Sequence, residues 1–286
     1  MGYVFLSVLC SVAVSVVLKT ANRLGYRHLH LIVWNYPVAV LATFFLLTPE
    51  IPDLAKVRLP WELYLPLALL LPVIFVCIAY AIAFGGIVRT EVAQRLSLFI
   101  PLLAAFFVFR EDIGASKLTG IGVGLLAIVF SIGWGEKSAP AGGAKNWIYP
   151  LAVFVGMGVI DILFKKVALY GEASYAFSMF AVFVLAMPVA FGMLAYGRWT
   201  TGEKPKPKTI LWGILLGMLN FGNILFYMKA HRALPDSPSV VFTAMNIGVI
   251  LVGALVGLFF FREKLTVCNK IGLALAVVSV LLIAYL

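Results

Sequence analysis

Asp161 and Lys165 stand one helical turn apart in an otherwise apolar stretch, on the same face as Gly158, so a carboxylate and an ammonium can pair there. A charge placed mid-membrane costs roughly 3 kcal/mol on insertion scales. A retained pair is therefore either a structural salt bridge, its lysine stem reaching for the interface, or the charged lining of a water-filled cavity. In the second reading Asp161 exchanges a proton or another coupled ion.

Amides supply a second polar set. Gln94 and Asn246 lie 152 residues apart, and Ser97 and Pro101 follow Gln94 at i+3 and i+7. A mid-helix proline frees a backbone carbonyl that a solute, water or neighbouring side chain can meet. Asn220, Asn223 and Tyr227 form a stripe at i, i+3 and i+7, with Gly213 and Gly217 nearby. These amides and hydroxyls suit a polar solute, and hydrogen bonding between packed helices accounts for them equally. Arg95 has the geometry to grip a carboxylate, yet Glu91 four residues earlier is a ready partner for an interfacial ion pair. Lys19 and Asn35 sit at the end of one apolar block and early in the next, where Lys19 either snorkels or faces a cavity.

The remaining residues argue against catalysis. The sequence has no G-x-x-x-x-G-K-[ST] phosphate loop and no H-E-x-x-H; His28, His30 and His231 fall near block ends, and Cys10, Cys77 and Cys268 are isolated. No catalytic set, metal site or cofactor is expected, and an intramembrane enzyme is the weakest reading. The net charge of +10 comes from basic residues in loops, where anionic lipid headgroups attract them, and no nucleic-acid motif accompanies it.

Such groups must be held by membrane-spanning helices. With 63% hydrophobic and 12% charged residues, the chain is too apolar for a water-soluble domain, and its partner is the lipid bilayer. Apolar blocks long enough to cross the hydrocarbon core fall near 3–18, 29–47, 63–84, 92–109, 118–134, 147–164, 174–196, 209–228, 239–261 and 267–286. Trp61 and Tyr64, Trp134, Trp147 and Tyr149, Tyr196 and Trp199, and Trp212 cluster at block ends, as headgroup anchors do. The first block begins at Met1 without a basic start or a cleavage site, so it is expected to remain as a helix.

The blocks divide five and five. Phe109-Arg110-Glu111 recurs 152 residues later as Phe261-Arg262-Glu263, each followed nine residues on by a glycine, Gly120 and Gly272. The expected organisation is an all-α, ten-helix membrane protein made of a first five-helix repeat (1–137), a linker (138–146) and a second repeat (147–286). An odd number of crossings per repeat makes the second inverted relative to the first. Gly120 with Gly124, and Gly253 with Gly257, have the spacing of close helix contacts.

Several local patterns together resemble the drug/metabolite transporter superfamily, in its EamA-like branch, over nearly the full length. They are Leu18-Lys19, Asn35-Tyr36, Gln94-Arg95-Leu96-Ser97 with Pro101, the F-R-E-plus-glycine units, Gly158, Asp161 and Lys165, and Asn246. The resemblance implies a secondary carrier of metabolites, amino acids or drugs in a bacterial inner membrane, with a central cavity between its halves and Glu111 and Glu263 as structural features. The expected function is transport of a small polar solute by alternating access; a channel or a non-transporting scaffold is the alternative. Gln94, Asn246, Asn223, Tyr227, Asn220, Ser97 and Asn35 are the expected substrate contacts, and Asp161, Lys165, Lys19 and Arg95 the charges for coupling or cavity lining. Orientation is set two ways: fourteen Lys and Arg on one face against eight on the other place both termini outside the cytoplasm, whereas the family implies cytoplasmic termini.

Overall fold

The computed structural model describes residues 2–52, 57–97, 99–100, 119–120, 122–124, 126–127, 130, 145–168, 170–202, 206–233 and 238–285. Pro101, Arg110, Glu111, Lys137 and Lys204 lie outside them, as does the side chain of Lys165. The described residues are helical with short connections. The helices are α1 (Gly2–Arg23), α2 (His28–Leu47), α3 (Trp61–Gly85), α4 (Ile87–Leu96), α5 (Lys145–Ala168), α6 (Tyr175–Thr201), α7 (Pro207–Ala233), α8 (Pro238–Leu255) and α9 (Val267–Tyr285). A π-helical turn, Val256–Phe260, extends α8.

Six of these helices are long and apolar enough to cross a membrane, and two shorter apolar stretches, Ala244–Phe260 and Val267–Leu282, accompany them. Their side chains are distributed inside out relative to a water-soluble protein. Phe45, Trp199, Leu211 and Phe260 are among the large apolar residues left exposed, while Ser7, Ser15, Asn35, Thr90 and Glu91 are buried. That is the arrangement of a helical bundle whose solvent is lipid.

Helix ends follow local chemistry. Ser174 caps α6, its hydroxyl accepting from the Phe177 amide at 3.2 Å, and Gly202 closes the same helix with a left-handed backbone, φ 67°. Hydropathy alone starts the fourth block at residue 92, but α4 begins at Ile87. The charges of Arg89, Glu91 and Arg95 depress an apolar average, yet in the bundle those side chains turn inward. Tyr64 also departs from the expected headgroup anchor: it is fully buried at the start of α3 and donates to Ser178 Oγ at 2.7 Å.

The helices alternate in direction from α1 to α4 and again from α5 to α9, and long-range contacts identify two ends of the bundle. At one end Lys19 meets Glu263, His28 meets Tyr80, and Lys206 lies over the Tyr26 ring. At the other, Tyr64 meets Ser178 and Phe44 meets Phe180. α1 packs chiefly on α7 and α8, α2 on α7 and α6, and α3 on α5 and α6, whereas sequential neighbours such as α1 and α2 scarcely touch. Residues 2–97 and 145–285 thus interlock, which brings side chains from distant parts of the chain to the centre. Glycines set the spacing. A methyl on Gly213 would meet the Leu31 carbonyl oxygen at 2.6 Å, and one on Gly217 would meet Val38 Cβ at 2.7 Å, so α7 lies against α2 backbone to backbone. Gly253 and Gly257 likewise admit Glu91 and Val88 of α4.

Candidate functional site

α1 carries the organising pattern. Ser7, Ser11, Ser15 and Lys19 recur every four residues, so they form one slowly winding stripe. Each finds a different partner. Ser7 Oγ lies 2.8 Å from Asn223 Oδ1 and 2.9 Å from the Asn223 carbonyl on α7. Arg95 of α4 donates to Ser11 Oγ at 2.8 Å, and Ser15 donates to Glu91 Oε1 at 2.5 Å. Lys19 forms an ion pair with Glu263.

Beside this stripe lies a cavity of about 670 Å³, within the range that accommodates metabolite-sized ligands. Its polar lining comes from Ser11 and Ser15 of α1, Asn35 of α2, Glu91, Gln94 and Arg95 of α4, Asp161 of α5, Asn220, Asn223 and Tyr227 of α7, and Asn246 of α8. Ile74, Phe75 and Ile78 of α3 and Met179 and Phe183 of α6 form an apolar wall. Pro37 and Pro72 interrupt α2 and α3 beside lining residues, where each removes a helical hydrogen bond.

Eight of the residues singled out in the sequence therefore meet at one cavity: Gln94, Asn246, Asn223, Tyr227, Asn220, Asn35, Asp161 and Arg95. Asn220 donates to Asn35 Oδ1 at 3.0 Å, across the close α2–α7 contact that the glycines permit. Ser97 is buried beneath the cavity rather than lining it, its hydroxyl donating to the Gln94 carbonyl at 2.6 Å. Lys19 is also outside the lining. Lys165 lies on α5 with its side chain outside the described residues. Sequence reasoning passed over Ser7, Ser11 and Ser15, whose four-residue spacing was present as a signal, and Tyr175.

Arg95 makes the expected ion pair with Glu91, but inside the bundle beside the cavity instead of at an interface. Its guanidinium faces the cavity, Nη2 stands 3.9 Å from Glu91 Oε2, and Nε is buried without a hydrogen-bond partner among the described residues. Glu91 Oε2 is likewise buried and without a hydrogen bond among them. Asp161 has no hydrogen bond or ion pair among the described residues, and no ion pair joins it to Arg95. Arg95 and Asp161 therefore share the cavity without an ion pair between them.

The two ends of the cavity differ in how they are packed. Toward Lys19, fully buried Leu18, Leu31, Ile82 and Ile87 fill the bundle. Beyond them Glu263 accepts from the Ile87 amide at 2.7 Å and the Val88 amide at 3.3 Å, capping α4 while it pairs with Lys19. Arg23 donates to the Phe261 carbonyl at 3.1 Å, and its guanidinium stacks over that ring at 4.7 Å. Tyr80, Phe84 and Tyr149 stack at the same end, with His28 edge-on to Tyr80. Toward the other end, Tyr175 in the first turn of α6 lines the cavity and is 38% exposed.

No protein-family model matches the chain. An uncharacterized protein of Haemophilus influenzae is 38% identical over 287 residues, covering 98% of this chain and 96% of that protein. A probable 4-amino-4-deoxy-L-arabinose-phosphoundecaprenol flippase subunit, ArnE, of Hamiltonella defensa is 30% identical over 109 residues, which is 38% of this chain and 94% of the relative. Among solved structures, one protein crystal structure superposes with a TM-score of 0.58 at 16% identity, covering 98% of this chain and 94% of the other, which shows a shared fold. The apolar helices and the flippase-subunit relative together describe an integral membrane protein.

Proposed function

Because the chain belongs to one family with the Haemophilus influenzae protein that it matches from end to end, we propose that it is a secondary transporter, passing a small polar metabolite, amino acid or drug-like solute through the central cavity by alternating access. We place it in the EamA-like branch of the drug/metabolite transporter superfamily, as two inverted five-helix repeats in a bacterial inner membrane. The partial homology to a flippase subunit supports a transport role, and the repeated F-R-E-plus-glycine units support the duplication.

A single observation carries the reading. Polar side chains from six helices, drawn from both sides of residue 145, converge on one chamber that is packed shut toward Lys19 and has the partly exposed Tyr175 in its lining at the other end. A carrier caught on one side of its cycle has this form, whereas a conducting pore needs a path through both ends. The Lys19–Glu263 clasp and the aromatic stack close the Lys19 end and must part for that end to open.

The test is efflux from proteoliposomes preloaded with a bacterial cytosolic extract. Particular metabolites are expected to leave only when the protein is present, and Gln94→Ala, Asn223→Ala, Tyr227→Ala and Asn246→Ala are expected to slow their exit. Unchanged rates in all four variants would move the path away from this cavity. No protein-dependent loss of any metabolite would overturn the transport reading.

A further inference from the structure

We propose that the cavity takes a zwitterion: a solute whose oxyanion group docks on Arg95 and whose cationic nitrogen faces Asp161, with its apolar part against the α3 and α6 wall. This rests on the cavity being the transport site.

Arg95 carries five N–H donors, and its hydrogen bond to a described residue goes to the neutral Ser11 hydroxyl, at 2.8 Å. Glu91, at 3.9 Å, is beyond hydrogen-bond reach of the guanidinium; its side chain is 2% exposed, and Ser15 holds its other oxygen at 2.5 Å. Glu91 therefore serves as a fixed counter-charge that orients Arg95 without saturating it. Donors remain for a carboxylate or phosphate, the groups a planar guanidinium matches best.

Asp161 is the complementary element. It lines the same cavity and lacks a hydrogen-bond or ion-pair partner among the described residues. With Glu91 assigned to Arg95, the Asp161 carboxylate faces the chamber with no ion-pair partner among the described residues. An ammonium would balance it, and the oxyanion on the same solute would then answer Arg95. A neutral solute satisfies neither group. A simple anion leaves Asp161 unbalanced, and a simple cation leaves the guanidinium donors unused. Phe75, Met179 and Phe183 give the apolar part of the solute a surface to pack against.

Thermal unfolding of the purified protein tests this with matched probes: leucine, isoamylamine, which keeps only the amine, and 4-methylpentanoate, which keeps only the acid. O-phosphoethanolamine replaces leucine in a further arm, distinguishing phosphate from carboxylate as the oxyanion. A zwitterion is expected to raise the melting temperature with log concentration, and each half-molecule to require about tenfold more for the same shift. Arg95→Gln should reduce the zwitterion response to that of isoamylamine, Asp161→Asn should reduce it to that of 4-methylpentanoate, and Arg95→Lys should retain part of it. A half-molecule equal to the better zwitterion in the wild-type protein, or no shift with either zwitterion, overturns the proposal. Those results concern the class of solute, whereas the transport reading stands or falls on the vesicle efflux.

Discussion

At the scale of single residues, the interior is a set of mutually dependent polar contacts in an apolar bundle. Ser15 shows the dependence: its hydroxyl is the hydrogen-bond donor to Glu91, which is buried and 3.9 Å from its cation. Ser15→Ala is expected to destabilise the protein by about 1–3 kcal/mol, because a buried carboxylate oxygen loses its partner. Glu91→Gln in the Ser15→Ala background should recover part of the loss, because the amide carries no net charge to solvate. Melting temperatures in detergent check both; a Ser15→Ala protein as stable as wild type would mean that Glu91 finds another donor. The residue types at the cavity were legible. Gln94, Asn220, Asn223 and Asp161 interrupt apolar helices at spacings that place them on defined faces. Their partners were not. Ser7 and Asn223 are 216 residues apart, and only packing joins them.

At the scale of elements, glycines and one glutamate determine how closely helices approach. Gly86 precedes α4 with φ 87°, and a methyl there would lie 2.7 Å from Glu263 Oε2. Gly86→Ala is therefore expected to cost about 1–3 kcal/mol through backbone strain combined with displacement of the cap. Gly192→Ala, in the exposed middle of α6 with nothing within 4 Å of the added methyl, should be neutral or stabilising by up to about 1 kcal/mol. Unfolding midpoints of the two variants make the comparison, and equal effects would contradict the cap geometry. The F-R-E motif was visible in the sequence, but its physical role was not. Glu263 caps a helix 176 residues earlier in the chain, and no local pattern encodes that distance. The early start of α4 was missed for a related reason: hydropathy averages treat inward-facing charges as loop.

At the scale of the whole molecule, a chamber sealed at one end is what alternating access requires of a resting state. The sealed end carries the basic side, with Lys19, Arg23 and Lys206 gathered there. The charge bias therefore predicts that this end faces the cytoplasm and that the chamber opens outward. In a cysteine-free background, Lys206→Cys should resist a membrane-impermeant thiol reagent in intact cells; rapid labelling would reverse the orientation. Movement of solute by a carrier cycle through this cavity is distinguished from passive flow by counterflow. Proteoliposomes loaded with an unlabelled metabolite identified by efflux are diluted into a trace of its labelled form. Transient accumulation of label above its outside concentration is expected, diminished in the Asn223→Ala protein. Label that merely equilibrates, or accumulates equally in that variant, would contradict it.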